Sequence, residues 1–251
     1  MNKWQVQMGW LSGAAALLLA QSVSAATIVV YGATGSVGSV IVREALSRGD
    51  TVIGVARDPQ KVSFDDKNFH AVAGDVTDED SFRKITAGAD AVILSVVGPG
   101  KDNLPENSVQ AQAAAVAVKA FTGAKKAPYV LEIGGASTLY GSREGTAAHL
   151  PVKAEPGSVM YGVFLGHWSV LEIFRASTIR WTVLTPPQSI QGWSPNAPPV
   201  VNRTGKYRTA TDSFVTGADG KSAIDIGDLA VAAIDEVEKP HFVGQRFTVG
   251  Y

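Results

Sequence analysis

The chain has 251 residues, 45% hydrophobic and 18% charged, a balance that supports one α/β unit with a substantial core. Its 22 basic and 23 acidic residues are interspersed, with no basic run longer than a pair such as Lys125-Lys126, which excludes a nucleic-acid footprint. There is no cysteine, and no spacing of metal-ligating side chains, so disulfide, zinc–thiolate and cysteine-nucleophile chemistry are excluded.

Residues 1–25 read as a secretory signal peptide: Lys3 at the start, an apolar core over Leu11–Ala20, and the small-residue pattern Val23-Ser24-Ala25. The apolar run is short for a bilayer and no stop-transfer segment follows, so no membrane span is expected after processing. The expectation is export to the periplasm, with residues 26–251 as the mature unit; a mis-assigned start would leave a cytoplasmic protein. No twin-arginine pair is present, so transport of a folded, loaded protein is not indicated.

Along the mature chain, Thr27–Tyr31 predicts a strand and Val37–Ser47 a helix. Thr51–Ala56 predicts a second strand, stopped by Asp58-Pro59, and Phe69–Ala73 a third. The segment "GDVTDEDSF" opens a helix with Thr77 as N-cap. Ala89–Val97 is a continuous apolar run, the pattern of a strand buried on both faces. Ser108–Phe121 reads as a helix, Tyr129–Ile133 as a strand, Tyr161–Ala176 as a helix and Trp181–Leu184 as a strand. Residues 186–221 are rich in Pro, Gly, Thr and Asn and read as an irregular substrate-side insertion. Asp225–Val237 is a last helix and Gln245–Val249 a last strand. This alternation predicts a Rossmann-like, doubly wound parallel sheet with helices on both faces and a small irregular C-terminal lobe, all within one domain over 26–251.

The turn after the first strand is Gly32-x-x-Gly35-x-x-Gly38, set between a strand and a helix. That context is the one a dinucleotide fingerprint requires. The first glycine lets the chain reverse, the second admits a pyrophosphate to the backbone amides, and the third brings helix close to strand. The second strand ends without an acid and is followed by Arg57, suited to the 2′-phosphate of NADP(H). Asp58, one residue on, leaves NAD(H) open. Asp75-Val76 follows the third strand where an adenine ring would rest, and Asp75 is equally placed to cap a helix. "SVVGPG" over Ser95–Gly100 would run beneath the ribose, or simply turn the chain.

These stretches, "GATGSVG", "ARDP", "GDVTD", "WTVLTPP" and "RTGKYR", resemble the atypical short-chain dehydrogenase/reductases. Within that group they are most similar to the NADH–flavin reductase type, near the NmrA-like and biliverdin-reductase-B-like proteins. The resemblance implies NADP(H) binding and hydride transfer to a flavin, quinone or other planar acceptor, and gives no oligomeric state. By position it assigns Gly32, Thr34, Gly35, Ser36, Val37 and Gly38 to the pyrophosphate, Arg57 to the 2′-phosphate, Asp75 and Val76 to adenine, and Val97 and Gly98 to the ribose side.

The chain departs from the proteins it resembles in the acid–base pair: no tyrosine has a lysine four residues later, and Trp168 stands where NmrA-like proteins often carry a lysine before Glu172. Reduction of a planar acceptor needs stacking and orientation, with the proton available from solvent. The candidate polar groups are Ser137, as site residue or turn former, and His167, as proton donor or packing histidine; His149 lies in a loop. Trp193 and Tyr207 are candidates to stack an acceptor or to pack. Arg203–Arg208 would bind an anionic tail or form a solvated hairpin. "GGAST" lacks the glycines of a nucleophile elbow, which argues against a hydrolase. A nucleotide-binding redox sensor or assembly factor without turnover is the alternative reading.

Overall fold

A computed structural model describes residues 25–143, 146–149 and 154–251. The signal-peptide reading falls on residues 1–24, outside the described residues, as does the His149 side chain. Strand β1 (Thr27–Tyr31) leads into helix α1 (Ser36–Ser47), followed by β2 (Thr51–Ala56) and β3 (Phe69–Ala73). Then come α2 (Glu79–Ile85), β4 (Ala91–Leu94), α3 (Val109–Phe121) and β5 (Tyr129–Ile133). A hairpin of β6 (Tyr140–Arg143) and β7 (Thr146–His149) precedes α4 (Val159–Arg175) and β8 (Trp181–Thr185). Short strands β9 (Ser189–Gln191), β10 (Arg208–Ala210) and β11 (Ala223–Asp225) lead to α5 (Ile226–Glu238) and β12 (Gln245–Gly250).

The main sheet runs β3-β2-β1-β4-β5-β8-β12-β10, with every neighbouring pair parallel except β12 and β10. The β-branched and leucine-rich central strands are buried on both faces, as parallel strands covered by helices must be. One face is closed by α1 and α5 through Ile41, Leu229, Ile234 and their neighbours. The other is closed by α2, α3 and α4 through Phe82, Phe121, Leu171 and Phe174. Alanines 113, 114 and 117 let α3 lie close to the sheet, each fully buried. No helix among the described residues is long and apolar enough to cross a membrane.

Three expectations are corrected here. The fourth strand stops at Leu94 rather than Val97, because Ser95 onward leaves the sheet and walls a cavity. Asp78, not Thr77, caps α2: its carboxylate accepts from the amides of Asp80 and Ser81, while Thr77 is taken by Asp75. The region 186–221 contains β9 and β10, too short for a two-residue period to register; β9 pairs with β11 and β10 extends the main sheet.

Candidate functional site

Gly32 ends β1 at φ +83°, and a Cβ there would lie 2.1 Å from the Ser95 carbonyl oxygen. A Cβ at Gly38 would lie 2.2 Å from the Gly32 carbonyl oxygen, so both positions admit only hydrogen. Gly35 is different. It is extended (φ −74°, ψ 163°), and the nearest atom to a Cβ would be the Gly32 oxygen at 3.2 Å. Its own amide donates to Gly32 O at 2.9 Å and its carbonyl accepts from Ser39 N at 2.9 Å.

The amides left over are those of Ser36, Val37 and Gly38, the first turn of α1. They find no acceptor among the described residues, and α1 has neither a capping side chain nor an acid in its first turn. The other four α-helices among the described residues are each capped by a side chain: Asp78 on α2, Ser108 on α3, Ser158 on α4 and Asp225 on α5. Unsatisfied amides and the positive end of the helix dipole together make an anion site.

That N-terminus opens onto a cavity of about 640 Å³ lined by Tyr31, Thr34, Gly35, Arg57, Asp75, Val76 and Val97, among others. Arg57 is exposed at its rim and has no ion-pair partner among the described residues. Asp58 is committed elsewhere, accepting from Gln60 N at 3.2 Å and pairing with Lys61 at 3.4 Å. Asp75 accepts from the amide and hydroxyl of Thr77 at 2.9 and 2.8 Å. Those bonds, with Arg57 nearby, hold its carboxyl below the usual range. Val76 is buried in the wall and Val97 is 61% exposed. The Tyr31 hydroxyl is buried without a partner, and burial plus Asp75 and Asp78 push its pKa up, so it stays protonated.

Four assigned residues are outside this lining: Ser36 walls the second cavity, and Val37, Gly38 and Gly98 line neither. Gly98 is pinned to α3, its amide donating to Gln110 Oε1 at 3.1 Å and its carbonyl accepting from Val109 N at 3.0 Å. Val37 packs half-buried against the α1/α5 core. A second cavity, about 500 Å³, shares Thr34 and Gly35 with the first and is walled by Ser36, Ser39 and the segment from Trp193 to Pro199.

The chemistry candidates are not brought to these cavities. Ser137 donates its hydroxyl to Phe164 O at 3.0 Å, tying the turn after β5 to α4. His167 is buried, with Nδ1 3.1 Å from Glu132 Oε1, and its ring presses on Gly135, where a Cβ would sit 2.4 Å from Cδ2. Neither residue lines either cavity. Sequence reading missed Glu132; the signal was one acid inside the wholly buried strand "YVLEI".

The "RTGKYR" segment is a clamp rather than a tail-binding site. Arg203 grips Glu44 of α1 through Nε–Oε2 at 2.7 Å and Nη2–Oε1 at 2.9 Å. The Thr204 and Gly205 amides donate to Asp228 of α5 at 2.9 and 2.7 Å, and the Tyr207 hydroxyl donates to Asp235 at 2.6 Å. Arg208 donates to the carbonyls of Thr216 and Tyr251. Tyr207 is therefore spent on packing, and only Trp193 of the two aromatic candidates stays at a cavity.

A parallel sheet whose first strand ends in this glycine turn and opens an uncapped helix defines a Rossmann-type dinucleotide-binding protein. A family model described as NAD(P)H-binding matches residues 32–237, and the chain belongs to that family. It is similar to a candidate epimerase from Bacteroides thetaiotaomicron, 30% identical, covering 90% of this chain and 97% of that one at a TM-score of 0.71. A candidate exported protein from Burkholderia pseudomallei is also 30% identical, over 90% and 100% of the two chains, with a TM-score of 0.66. A candidate NADH-flavin reductase from Streptococcus pneumoniae shares the fold at 24% identity, over 90% and 99%, with a TM-score of 0.70.

Proposed function

We propose that this protein is an NAD(P)H-dependent oxidoreductase that prefers NADP(H) and reduces a planar acceptor, with residues 26–251 acting as one exported unit. The observation that carries the reading is the uncapped N-terminus of α1 at a cavity also lined by Arg57, which has no ion-pair partner among the described residues. The residues fit the nucleotide. The Ser36–Gly38 amides would hold the diphosphate, with Thr34 and Gly35 leaving it room to approach. Arg57 would take the 2′-phosphate, Asp75 and Val76 would border the adenine, and Val97 and Gly98 would pass beneath the ribose. When bound, the nucleotide supplies the hydride; the chain binds and orients both reactants, and water supplies the proton.

Calorimetry on the protein purified from its native compartment, titrated with NADPH and NADH, tests the reading. Arg57→Ala should weaken NADPH binding by ~1–3 kcal/mol, the worth of a charge-assisted contact, and leave NADH nearly unchanged. Equal losses would remove the NADP preference, and no heat with either nucleotide would remove the function. The name of the S. pneumoniae protein supports a flavin as acceptor, and that of the B. pseudomallei protein supports export. A mature N-terminus at Ala26 in a periplasmic fraction would test the second point. The missing Tyr-x-x-x-Lys pair favours a sensor as the second reading; tight nucleotide binding with no turnover over a broad acceptor panel would select it.

A further inference from the structure

We infer that the second cavity is the acceptor site and that it selects an uncharged planar ring, of the isoalloxazine or quinone class without an anionic tail. The inference rests on the reductase reading above and names its substrate class.

Position comes first. The cavity meets the nucleotide cavity at Thr34 and Gly35, so a nucleotide anchored on α1 would reach its edge. Its outer wall is the loop from Trp193 to Pro199. That loop is closed at its neck by Val200 N donating to Gly192 O at 3.0 Å, and Gly192 sits at φ +75°, where a Cβ would collide with the Val200 carbonyl. Pro195, Pro198 and Pro199 restrict the backbone between, so the wall is presented with little conformational freedom left to lose on binding. Trp193 on this wall is 49% exposed, a large flat apolar ring with little of its own chain to cover it. Aromatic rings of this size favour an offset-stacked planar partner.

The lining chemistry then narrows the class. Its polar groups are Ser36, Ser39, Ser194 and Asn196 with Thr34, and none of the lining side chains is ionisable. The Ser39 hydroxyl is committed to Ser36 O at 3.1 Å, but the Ser36 Oγ is buried with no partner. That hydroxyl has no surface open to the cavity, so the side chains a ring carbonyl or ring nitrogen could meet are Thr34, Ser194 and Asn196. The lobe's arginines are spent, Arg203 on Glu44 and Arg208 on backbone carbonyls. With the first amides of α1 taken by the diphosphate of the bound nucleotide, a terminal phosphate on the acceptor would meet no further countercharge in this cavity. In the reaction the acceptor gains a hydride from the reduced nicotinamide, which is oxidised, and a second hydrogen as a proton from water.

The test is steady-state reduction of riboflavin, menadione, FMN and FAD by the exported protein with NADPH. The neutral acceptors should exceed FMN and FAD in kcat/KM by about tenfold. Trp193→Ala, with its melting temperature checked, should raise KM for the neutral acceptors by about tenfold, the scale of a lost stacking partner, and leave the NADPH Kd unchanged. FMN or FAD matching riboflavin would overturn the inference while the reductase reading stands. So would a Trp193→Ala variant that loses NADPH affinity instead, since the nucleotide would then occupy this cavity. NADPH binding without turnover of any acceptor would overturn both.

Discussion

The two ends of helix α1 treat polar groups in opposite ways. At the N-terminus, Ser36, Val37 and Gly38 offer amides that nothing in the described chain accepts, with no capping side chain and no acid in the first turn. Three turns along, Glu44 and Arg48 are saturated. Glu44 takes both arms of Arg203, and Arg48 reaches Glu44, Asp235 at 2.7 Å and Glu238 at 3.0 Å. One end leaves donors unmade for a ligand; the other uses charge to fix the C-terminal lobe against α1 and α5. The lesson concerns motifs. "GATGSVG" and "RTGKYR" both look functional as strings, yet open groups mark the first as a binding site and satisfied groups mark the second as a fastening.

The sharpest way to break this contrast is Gly32→Ala. Its Cβ would drive into the Ser95 carbonyl at φ +83°, adding overpacking of about 1–3 kcal/mol to a left-handed penalty of about 1–2. Urea denaturation should show the loss, and a near-neutral result would mean that the turn is not held as described. Arg203→Ala comes next. It strips the buried Glu44 carboxylate of two hydrogen bonds and should cost about 1–3 kcal/mol of stability while nucleotide affinity is retained. Loss of affinity at full stability would return the arginine to the site.

Gly35→Asp separates the two ends most cleanly. Position 35 is already extended, so an aspartate can cap α1 and should change stability by only a few tenths of a kcal/mol in its favour. The same carboxylate would occupy the anion site, and NADPH affinity should fall roughly 100-fold. Retained affinity in calorimetry would show that the diphosphate lies elsewhere.

The smallest effect is on pH dependence. Burial raises the Glu44 carboxyl, but hydrogen bonds from Arg203 and Arg48 outweigh it and hold the group below its ordinary value. A depressed carboxyl stabilises the fold above its unfolded pKa, and that contribution disappears as pH falls through the folded value. Unfolding free energies from urea denaturation between about pH 6 and pH 3 should therefore drop less for Glu44→Gln than for the natural chain. Parallel curves would place the acid sensitivity in other groups.

Much of the fold was legible. The bounds of β1, β2, β3 and β5 coincide with the β-branched and aromatic runs that predict them, because such side chains suit a pleated strand. The three-residue strands β9, β10 and β11 escaped, since their pairing depends on partners far along the chain. At the site, the glycine spacing was readable because it reports local backbone requirements. Glu132 was not. It lies 35 residues from His167, and an acid within a buried strand makes sense only once that imidazole is beside it.

The sequence by itself determined the layered α/β architecture, the reversal at Gly32 and the presence of Arg57 where a nucleotide's ribose end would lie, because each follows from local periodicity or local backbone geometry. Tertiary structure alone decided which polar groups are spent. Arg203 meets Glu44 across 159 residues and Thr204 meets Asp228 across 24, whereas the first amides of α1 meet no acceptor among the described residues. Hydrogen-bond satisfaction is a property of long-range neighbours, and in this chain it separates the groups left open for a ligand from those that hold the fold together.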